Sequence, residues 1–240
     1  MQAIVLRTTE NLSPTEWLSM RKQGIGGSDA AAVCGLSRWK SPIQVWLEKT
    51  GQTNPEHAGE AAYWGQVMEP ILRKEFSIRT GLEVNPLKSM LQHRRFPFML
   101  ANLDGIVTDL TQGQGVFEAK TAGLFASKEW DDKLPDEYAI QVQHYLAVTG
   151  LPFAYVAVLI GGNHFKWLYI ERDPGAIDLI IQLEARFWRL VETRTPPPID
   201  SSKASSELLN RLYPHGQNQQ IHLPLEALDL IEVYESAKGR

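Results

Sequence analysis

The stretch GVFEAKTA, residues 115–122, combines strand-forming residues with two opposite charges in close succession. Val116 and Phe117 favour a β-strand. Glu118 and Lys120 are two residues apart, so on a strand their side chains project from the same face. An acid beside a base in a core-like strand indicates either a chemical site or a solvated pair on an edge strand, as many E-x-K patterns are.

A second candidate carboxylate precedes this strand by the length of one hairpin. We predict one strand over residues 99–109 and another over 116–121, joined by the turn-forming segment LTQGQG. If these strands pair, Asp104 of the NLDG motif and Glu118 meet near one end of the hairpin. This placement favours the chemical site over the solvated pair.

If the Asp104 and Glu118 carboxylates lie close together, they could bind a divalent metal ion. Hard carboxylate oxygens are ligands for Mg²⁺, and Mn²⁺ can replace it. The backbone carbonyl of Ala119 is a candidate third ligand. Lys120 could then orient or help deprotonate a water, or neutralise charge on a phosphoryl group that the cation polarises.

The glycine-rich segment GIGGSDAAAVCG, residues 24–35, is a candidate anion site. Backbone N–H groups at the start of a helix bind anions, and Ser28, which we predict as the helix N-cap, adds a hydroxyl donor. Arg21 and Lys22, just upstream, add positive charge. The alternative is an ordinary helix cap after a flexible turn.

The composition is typical of a globular protein: 240 residues, 43% hydrophobic, with a formal net charge of −4, which neither indicates nor excludes a nucleic-acid binder. Cys34 is the only cysteine, which rules out a disulfide within the chain and predicts a reducing cytoplasm. No charged-then-apolar leader opens the sequence, and the longest apolar run, 153–160, is too short to span a bilayer. We therefore expect a cytoplasmic protein without membrane contact.

The predicted elements follow the order helices, hairpin, helix, hairpin, helix. This order predicts an α/β (α+β) fold with a central mixed β-sheet flanked by helices. Within the helical region 60–80, Pro70 predicts a kink or restart at Glu69–Pro70. We predict one domain over residues 1–198 and a helical extension over 199–240. The extension carries an apolar stripe at intervals of three: Leu225, Leu228, Ile231 and Tyr234.

Five ordered sequence blocks resemble one nuclease family. They are WLSMRKQGIGGSDAAAVCG, WGQVMEP, NLDG, FEAK and YAIQVQHYLAVTG. Over Trp17 to Arg194 the chain resembles the PD-(D/E)xK nucleases and, among them, the lambda-exonuclease-like, YqaJ-type viral recombination nucleases. The resemblance implies a restriction-endonuclease-like core.

The same resemblance implies roles for individual residues. Asp104 and Glu118 match the family's metal-binding carboxylates, and Lys120 matches its catalytic lysine. Glu69 matches the helical acid that completes the metal site; the alternative is an exposed helix acid. Gln141 matches the glutamine of the family's Q-x-Q-x-Y helix beside the active site.

Further residues are implied in DNA binding. Arg21 and Ser28 occupy the family positions that hold the terminal 5′-phosphate. Tyr138 and Tyr145 share a helical face with Gln141 and are candidate DNA contacts, with core packing as the alternative. The remaining basic residues are candidates for contact with the DNA backbone, with solvated surface as the alternative: Arg38, Lys40, Arg94 and Arg95.

The resemblance implies a Mg²⁺-dependent 5′→3′ exodeoxyribonuclease, encoded by a bacterium or phage, that resects linear double-stranded DNA ends. Family members form homotrimers and act with a single-strand-annealing recombinase, which is implied here by resemblance alone. Two alternatives stay open: an endonuclease on the same core, and a DNA-end-binding module that has lost catalysis. The sequence shows no H-x-x-x-H, C-x-x-C or P-loop motif, so neither a zinc site nor a nucleotide-driven motor is indicated.

Overall fold

A computed structural model of the chain describes residues 3–53, 59–131, 133–212 and 226–238. It contains two mixed β-sheets flanked by helices, which confirms the predicted fold class. The strands are, in chain order, β1 (Ile4–Thr8), β2 (Ile25–Gly26), β3 (Glu83–Asn85), β4 (Ser89–Gln92), β5 (Met99–Asn102), β6 (Gly105–Asp109), β7 (Gly113–Ala122), β8 (Phe153–Ile160) and β9 (His164–Glu171). The helices are α1 (Pro14–Arg21), α2 (Gly27–Val33), α3 (Pro42–Lys49), α4 (Glu60–Thr80), α5 (Asp136–Thr149), α6 (Pro174–Glu192), α7 (Lys203–Leu212) and α8 (Glu226–Lys238), with a 3₁₀-helix at Leu124–Trp130.

The five-stranded sheet has the order β3-β6-β7-β8-β9. β6 and β7 form one antiparallel hairpin and β8 and β9 form another, which confirms both predicted hairpins. β7 and β8 pair in parallel, so the chain crosses over between them through α5. β7 is therefore a central strand with a partner on each side. The solvated edge-strand interpretation of Glu118 and Lys120 is wrong for this reason.

The predicted single strand over residues 99–109 is interrupted at Leu103 and Asp104. β5 lies in the four-stranded sheet, of order β1-β4-β5-β2, whereas β6 lies in the five-stranded sheet. The chain thus passes from one sheet to the other at Asp104. Strand-forming residues continue on both sides of this point, which is why the sequence pattern does not reveal the break.

The largest hydrophobic core surrounds α5. Val142 and Leu146 of α5 belong to the same buried cluster as Val156 of β8 and Met99 of β5. A second cluster, centred on Phe76 of α4, packs against β7, where the ring centroids of Phe76 and Phe117 lie 5.1 Å apart. These contacts hold α4 and α5 on the strand that carries Glu118 and Lys120.

Side-chain caps are present at the starts of α1 and α6, at Ser13 and Asp173. Ser13 and Glu16 form a capping box at the start of α1, where each side chain bonds to the other residue's backbone N–H. At α2 the predicted cap is wrong: the helix begins at Gly27 with Gly26 as its N-cap. Ser28 therefore lies inside the first helical turn, and its hydroxyl is available to other partners.

α4 runs from Glu60 to Thr80 without a restart, although Pro70 lies inside it. Proline lacks the backbone N–H for its helical bond, but Leu72 and Phe76 anchor the following turns in the core. Of the predicted kink or restart at Glu69–Pro70, the restart is therefore wrong, and the kink stays a prediction. Glu69 consequently projects from the middle of a helix and does not cap one.

The chain divides into two compact units, residues 1–206 and 207–240. The second unit contains α8, whose exposed Leu228, Ile231 and Tyr234 belong to the predicted apolar stripe. Leu225 of that stripe lies outside the described residues. The predicted domain boundary at residue 198 stays a prediction. Within the part of the chain that the structure describes, no helix has the length and apolar character needed to cross a bilayer.

Candidate active site

Asp104 and Glu118 lie opposite each other where the β6–β7 hairpin meets the break after β5. The strand register pairs Gly105 with Phe117, which brings the two acidic positions together. The backbone N–H of Ala119 donates a 2.8 Å hydrogen bond to Oδ2 of Asp104. This bond fixes the Asp104 carboxylate to the backbone of β7.

Glu118 is almost completely buried, and its two carboxylate oxygens have different surroundings. Oε1 accepts hydrogen bonds from Lys120 Nζ at 2.6 Å and from Gln141 Nε2 at 2.7 Å. Oε2 is buried and has no hydrogen-bond partner among the described residues. A buried carboxylate oxygen without a partner is costly, so this atom is a candidate ligand position.

Burial is the main cause that raises the pKa values of the three acids in this site. Burial, followed by the charge of Asp104, raises the pKa of Glu118 to about 8. Burial raises the pKa of Asp104, and burial together with the charge of Asp104 raises the pKa of Glu69. The ionised forms of these acids are therefore destabilised at this point, and a cation between them would relieve the repulsion.

Lys120 lies against both an acid and an aromatic ring. Burial would lower its pKa, but the charges of Glu118 and Asp104 outweigh burial and raise it. Its ammonium nitrogen lies 5.1 Å from the ring centroid of Tyr138, which in turn stacks on Trp130. Tyr138 thus orients the lysine as well as lining the cleft.

Glu69 reaches the same cleft from α4. Arg73, one helical turn later, donates to Oε1 of Glu69 at 3.2 Å and to the backbone carbonyl of Asp104. The Arg73 guanidinium therefore links the Glu69 carboxylate of α4 to the backbone of Asp104. Arg73 was not predicted as a site residue, although the Glu69–Arg73 spacing of four is a recognised ion-pair signal on helices.

Gln141 and Tyr145 connect the carboxylates to the glycine-rich segment. Gln141 Nε2 donates to the Tyr145 hydroxyl at 3.0 Å as well as to Glu118. The Tyr145 ring lies so close to Gly27 that a Cβ at that position would be 2.4 Å from Cε1 of the ring. Only glycine fits at position 27 while the ring keeps this place.

The Arg21–Ser28 pair lines the same cleft. Arg21 Nη2 donates to Ser28 Oγ at 2.7 Å and to the buried Asp29 Oδ2 at 3.2 Å. The guanidinium also lies 5.0 Å from the ring centroid of Trp17. Asp29 therefore orients the Arg21 guanidinium. This ion pair was not predicted, because it depends on how α1 packs against α2.

These residues line one cleft of about 420 Å³. The cleft brings together all the predicted catalytic, metal-binding and phosphate-binding residues and both tyrosines: Asp104, Glu118, Ala119, Lys120, Glu69, Gln141, Arg21, Ser28, Tyr138 and Tyr145. Arg94 and Arg95 are not brought into it; they lie exposed in the bend between β4 and β5. Gln66 of α4 and Asn102 of β5 also line the cleft and were missed, because neither lies in a charged motif.

The donor set fits a hard divalent cation. Asp104 and Glu118 supply buried carboxylate oxygens, one of them without a partner in the described part of the chain, and Glu69 supplies a third acid at the cleft. Oxygen ligands of this kind are typical of Mg²⁺ and Mn²⁺ sites. No three His, Cys, Asp or Glu side chains of the described residues are already grouped as a closed ligand set. An ion there would complete its shell with water or substrate oxygens, as Mg²⁺ usually does.

Comparison with known sequences finds two curated relatives. A family model described as a YqaJ-like viral recombinase domain matches residues 16–152. The chain is 43% identical over 224 residues to the uncharacterized protein YqaJ of Bacillus subtilis strain 168, covering 91% of this chain and 69% of that protein. It is 28% identical over 147 residues to the uncharacterized protein R354 of Acanthamoeba polyphaga mimivirus, covering 56% of this chain and 26% of that protein.

Comparison with solved structures finds the same fold in two exonucleases. The alkaline exonuclease LHK-Exo from Laribacter hongkongensis superposes with a TM-score of 0.62 at 22% identity, covering 82% of this chain and 97% of that one. A phage-related exonuclease from Haemophilus somnus 129PT superposes with a TM-score of 0.53 at 12% identity, covering 74% of this chain and 99% of that one. At these identities the likeness establishes the fold.

Proposed function

Because the chain belongs to the YqaJ-like viral recombinase domain family, as its sequence blocks predicted, we propose that it is a metal-dependent 5′→3′ exodeoxyribonuclease. Its substrate would be the end of linear double-stranded DNA, and its product a 3′ single strand for annealing recombination. The exonuclease names of the two structural relatives support the proposal at the level of reaction class.

The observation that carries the proposal is that the acidic residues and the Arg21–Ser28 pair line one cleft. Asp104, Glu118 and Lys120 would act in hydrolysis of a phosphodiester, and Arg21 and Ser28, which line the same cleft, would hold a phosphate. A strand whose terminal phosphate sits on the arginine would extend its next phosphodiester toward the carboxylates. This arrangement favours cleavage one nucleotide from an end.

The residues of the cleft have separable tasks in the proposed reaction. Asp104, Glu118 and Glu69 would hold Mg²⁺ or Mn²⁺, which when bound supplies Lewis-acid polarisation of the phosphate and a more acidic water. Lys120 supplies an ammonium donor for charge that develops on a phosphoryl oxygen. Gln141 keeps Glu118 in place through its 2.7 Å hydrogen bond.

We also propose the assembly and partner that the family resemblance implies: a homotrimer around DNA, acting with a single-strand-annealing recombinase. Equilibrium sedimentation of the purified chain tests the first, and pull-down with a single-strand-annealing recombinase tests the second.

The deciding experiment uses end-labelled linear duplex with and without a 5′-phosphate. With Mg²⁺, we expect the 5′-labelled strand to release mononucleotides and the complementary 3′ end to remain. Shortening from the 3′ end would contradict the proposed polarity. Added EDTA should stop the reaction, and activity that persists in EDTA would contradict a metal mechanism.

The same assay separates the two alternative functions. An endonuclease would cut a supercoiled circle that has no ends, which the proposed enzyme leaves intact. A non-catalytic end-binding module would retain linear duplex in a gel-shift assay without degrading it. The buried Glu118 and its lysine and glutamine partners favour the catalytic alternative, since an exposed DNA-binding surface has no need of them.

A further inference from the structure

A second cleft of about 400 Å³ lies beside the active-site cleft, and the proposed reaction does not use it. We call it the lysine cleft; its polar lining consists of residues from α1, α2, α3 and the loop that joins α2 to α3. Arg21 and Ser28 line both clefts. Its volume falls within the range of about 300–1,000 Å³ that is usual for small-molecule sites.

The lysine cleft has more cationic side chains than carboxylates. Its lining contains four cations, Arg21, Lys22, Lys40 and Lys49, against two acids, Asp29 and Glu48. Asp29 alone accepts contacts from three of the cations, with Lys49 Nζ at 2.7 Å, Lys40 Nζ at 3.0 Å and Arg21 Nη2 at 3.2 Å. One carboxylate thus serves three positive groups.

The remaining charge is only partly compensated. Glu48 accepts a 2.5 Å contact from Lys40, while Lys22 makes no ion pair with any residue that the structure describes. Lys49 is buried, and burial, together with the nearby Arg21 and Lys40, lowers its pKa despite the opposing charge of Asp29. An anion in the cleft would relieve this excess of positive charge.

An aromatic side chain stands at the rim of the same cleft. Trp39 lines it and is 72% exposed. Ser37 Oγ accepts hydrogen bonds at 3.2 Å from the backbone N–H groups of Trp39 and Lys40, so the loop that carries the indole is held in a defined turn. An exposed indole beside cations is suited to stacking on a nucleobase.

We propose that the lysine cleft binds a 5′-mononucleotide, with its phosphate monoester among Lys22, Lys40 and Lys49 and its base against Trp39. This inference rests on the proposed function, in which hydrolysis releases a mononucleotide whose phosphate lay on Arg21. Arg21 and Ser28 border both clefts. The phosphate that leaves Arg21 after hydrolysis is therefore next to the lysines of the second cleft. The cleft is then a product site, and nucleotide bound there competes for Arg21 with the next DNA end.

The test is equilibrium binding of dAMP to the whole chain in EDTA, measured by calorimetry. We expect Lys22→Glu to weaken binding about tenfold, which is the loss of one charge-assisted contact. Trp39→Ala should weaken it roughly fivefold or more through lost stacking. Lys22 and Trp39 are not core residues, and circular dichroism verifies that both variants fold.

Control variants and control ligands show which results would contradict the proposed site. Lys74→Glu makes the same charge change on the exposed side of α4 and should leave dAMP binding unchanged. If Lys22→Glu also leaves it unchanged, or if binding is lost in Gln141→Ala and kept in Lys22→Glu, the nucleotide is not in the lysine cleft and the proposal fails. Inorganic phosphate that binds as tightly as dAMP, or deoxyadenosine that binds equally well, would overturn the assignment to a mononucleotide.

This experiment is independent of nuclease activity, because EDTA removes the metal ion and no DNA is present. A chain that degrades DNA but does not bind dAMP through Lys22 would refute the product site alone. A chain that binds dAMP as expected but degrades no DNA would refute the proposed function alone.

Discussion

The carboxylate of Asp104 accepts a 2.8 Å hydrogen bond from the backbone N–H of Ala119. The bond links the point where the chain leaves the four-stranded sheet to the central strand of the other sheet. Since Ala119 lies between Glu118 and Lys120, this contact aligns Asp104 with both catalytic candidates. The side chain of Asp104, which lies on the connection between the two sheets, is thereby bonded to the backbone of β7.

Asp104→Asn should remove nuclease activity while the fold persists. The amide keeps the size of the side chain and can still accept from Ala119, but it loses the negative charge that a metal ion requires. We expect a loss of about 10²-fold or more in the rate of duplex degradation, on the scale of losing one key electrostatic group. Asp178→Asn, on the exposed surface of α6, is the control and should retain activity. An Asp104→Asn variant as active as the wild type would remove Asp104 from the site.

The strand chemistry of this site could be predicted from sequence because it depends on local rules. Alternation along β7 puts Glu118 and Lys120 on one face, and the hairpin length brings Asp104 to them. The Asp29 network could not be predicted, since Lys40 and Lys49 reach it only when α3 packs beside α2. These contacts follow from tertiary packing and leave no periodic signal in the sequence.

The fold shows the same division between local and distant effects. Both hairpins and α5 follow from turn residues and periodicity, whereas the break between β5 and β6 does not. That break separates two sheets, and membership of a sheet is decided by partners far away in the chain. The continuity of α4 through Pro70 is likewise decided by the burial of Leu72 and Phe76.

Arg21→Ala should reduce the preference for 5′-phosphorylated ends. The variant loses a guanidinium that can donate to a terminal phosphate, and we expect the ratio of rates on 5′-phosphate and 5′-hydroxyl ends to fall about tenfold. Lys40 and Lys49 still neutralise Asp29, so the fold should persist. Arg79→Ala, which removes an exposed arginine paired within α4, is the control. An unchanged end preference in Arg21→Ala would refute the phosphate anchor.

The buried pair His144–Glu184 should make stability depend on pH. Burial would lower the pKa of His144, but Glu184, 2.7 Å from its Nδ1, outweighs burial and raises it; burial raises the pKa of Glu184. A raised pKa in the folded state contributes stability that is present below the unfolded value and lost as the pH rises. For His144 that loss begins near 6.5, its ordinary pKa, and continues upward.

Urea denaturation between pH 6 and pH 9 measures this effect. The free energy of unfolding should decrease with rising pH in the wild type and decrease less in Glu184→Gln, where the imidazolium loses its counter-charge. Glu118 also has a raised pKa and contributes equally to both proteins, so the difference between them isolates the pair. Parallel pH profiles would show that Glu184 does not raise the pKa of His144.

Gly27→Ala should destabilise the fold through the Tyr145 ring. The added Cβ would lie 2.4 Å from Cε1 of Tyr145, so the ring must move or the start of α2 must shift. Overpacking of this kind costs about 1–3 kcal/mol. Gly65→Ala is the matched control, because a Cβ there meets no atom within 4 Å and alanine favours the helix by up to about 1 kcal/mol. Denaturant midpoints measured with and without Tyr145→Leu decide the cause: a smaller side chain at 145 should reduce the cost of Gly27→Ala, and an undiminished cost would place the strain elsewhere.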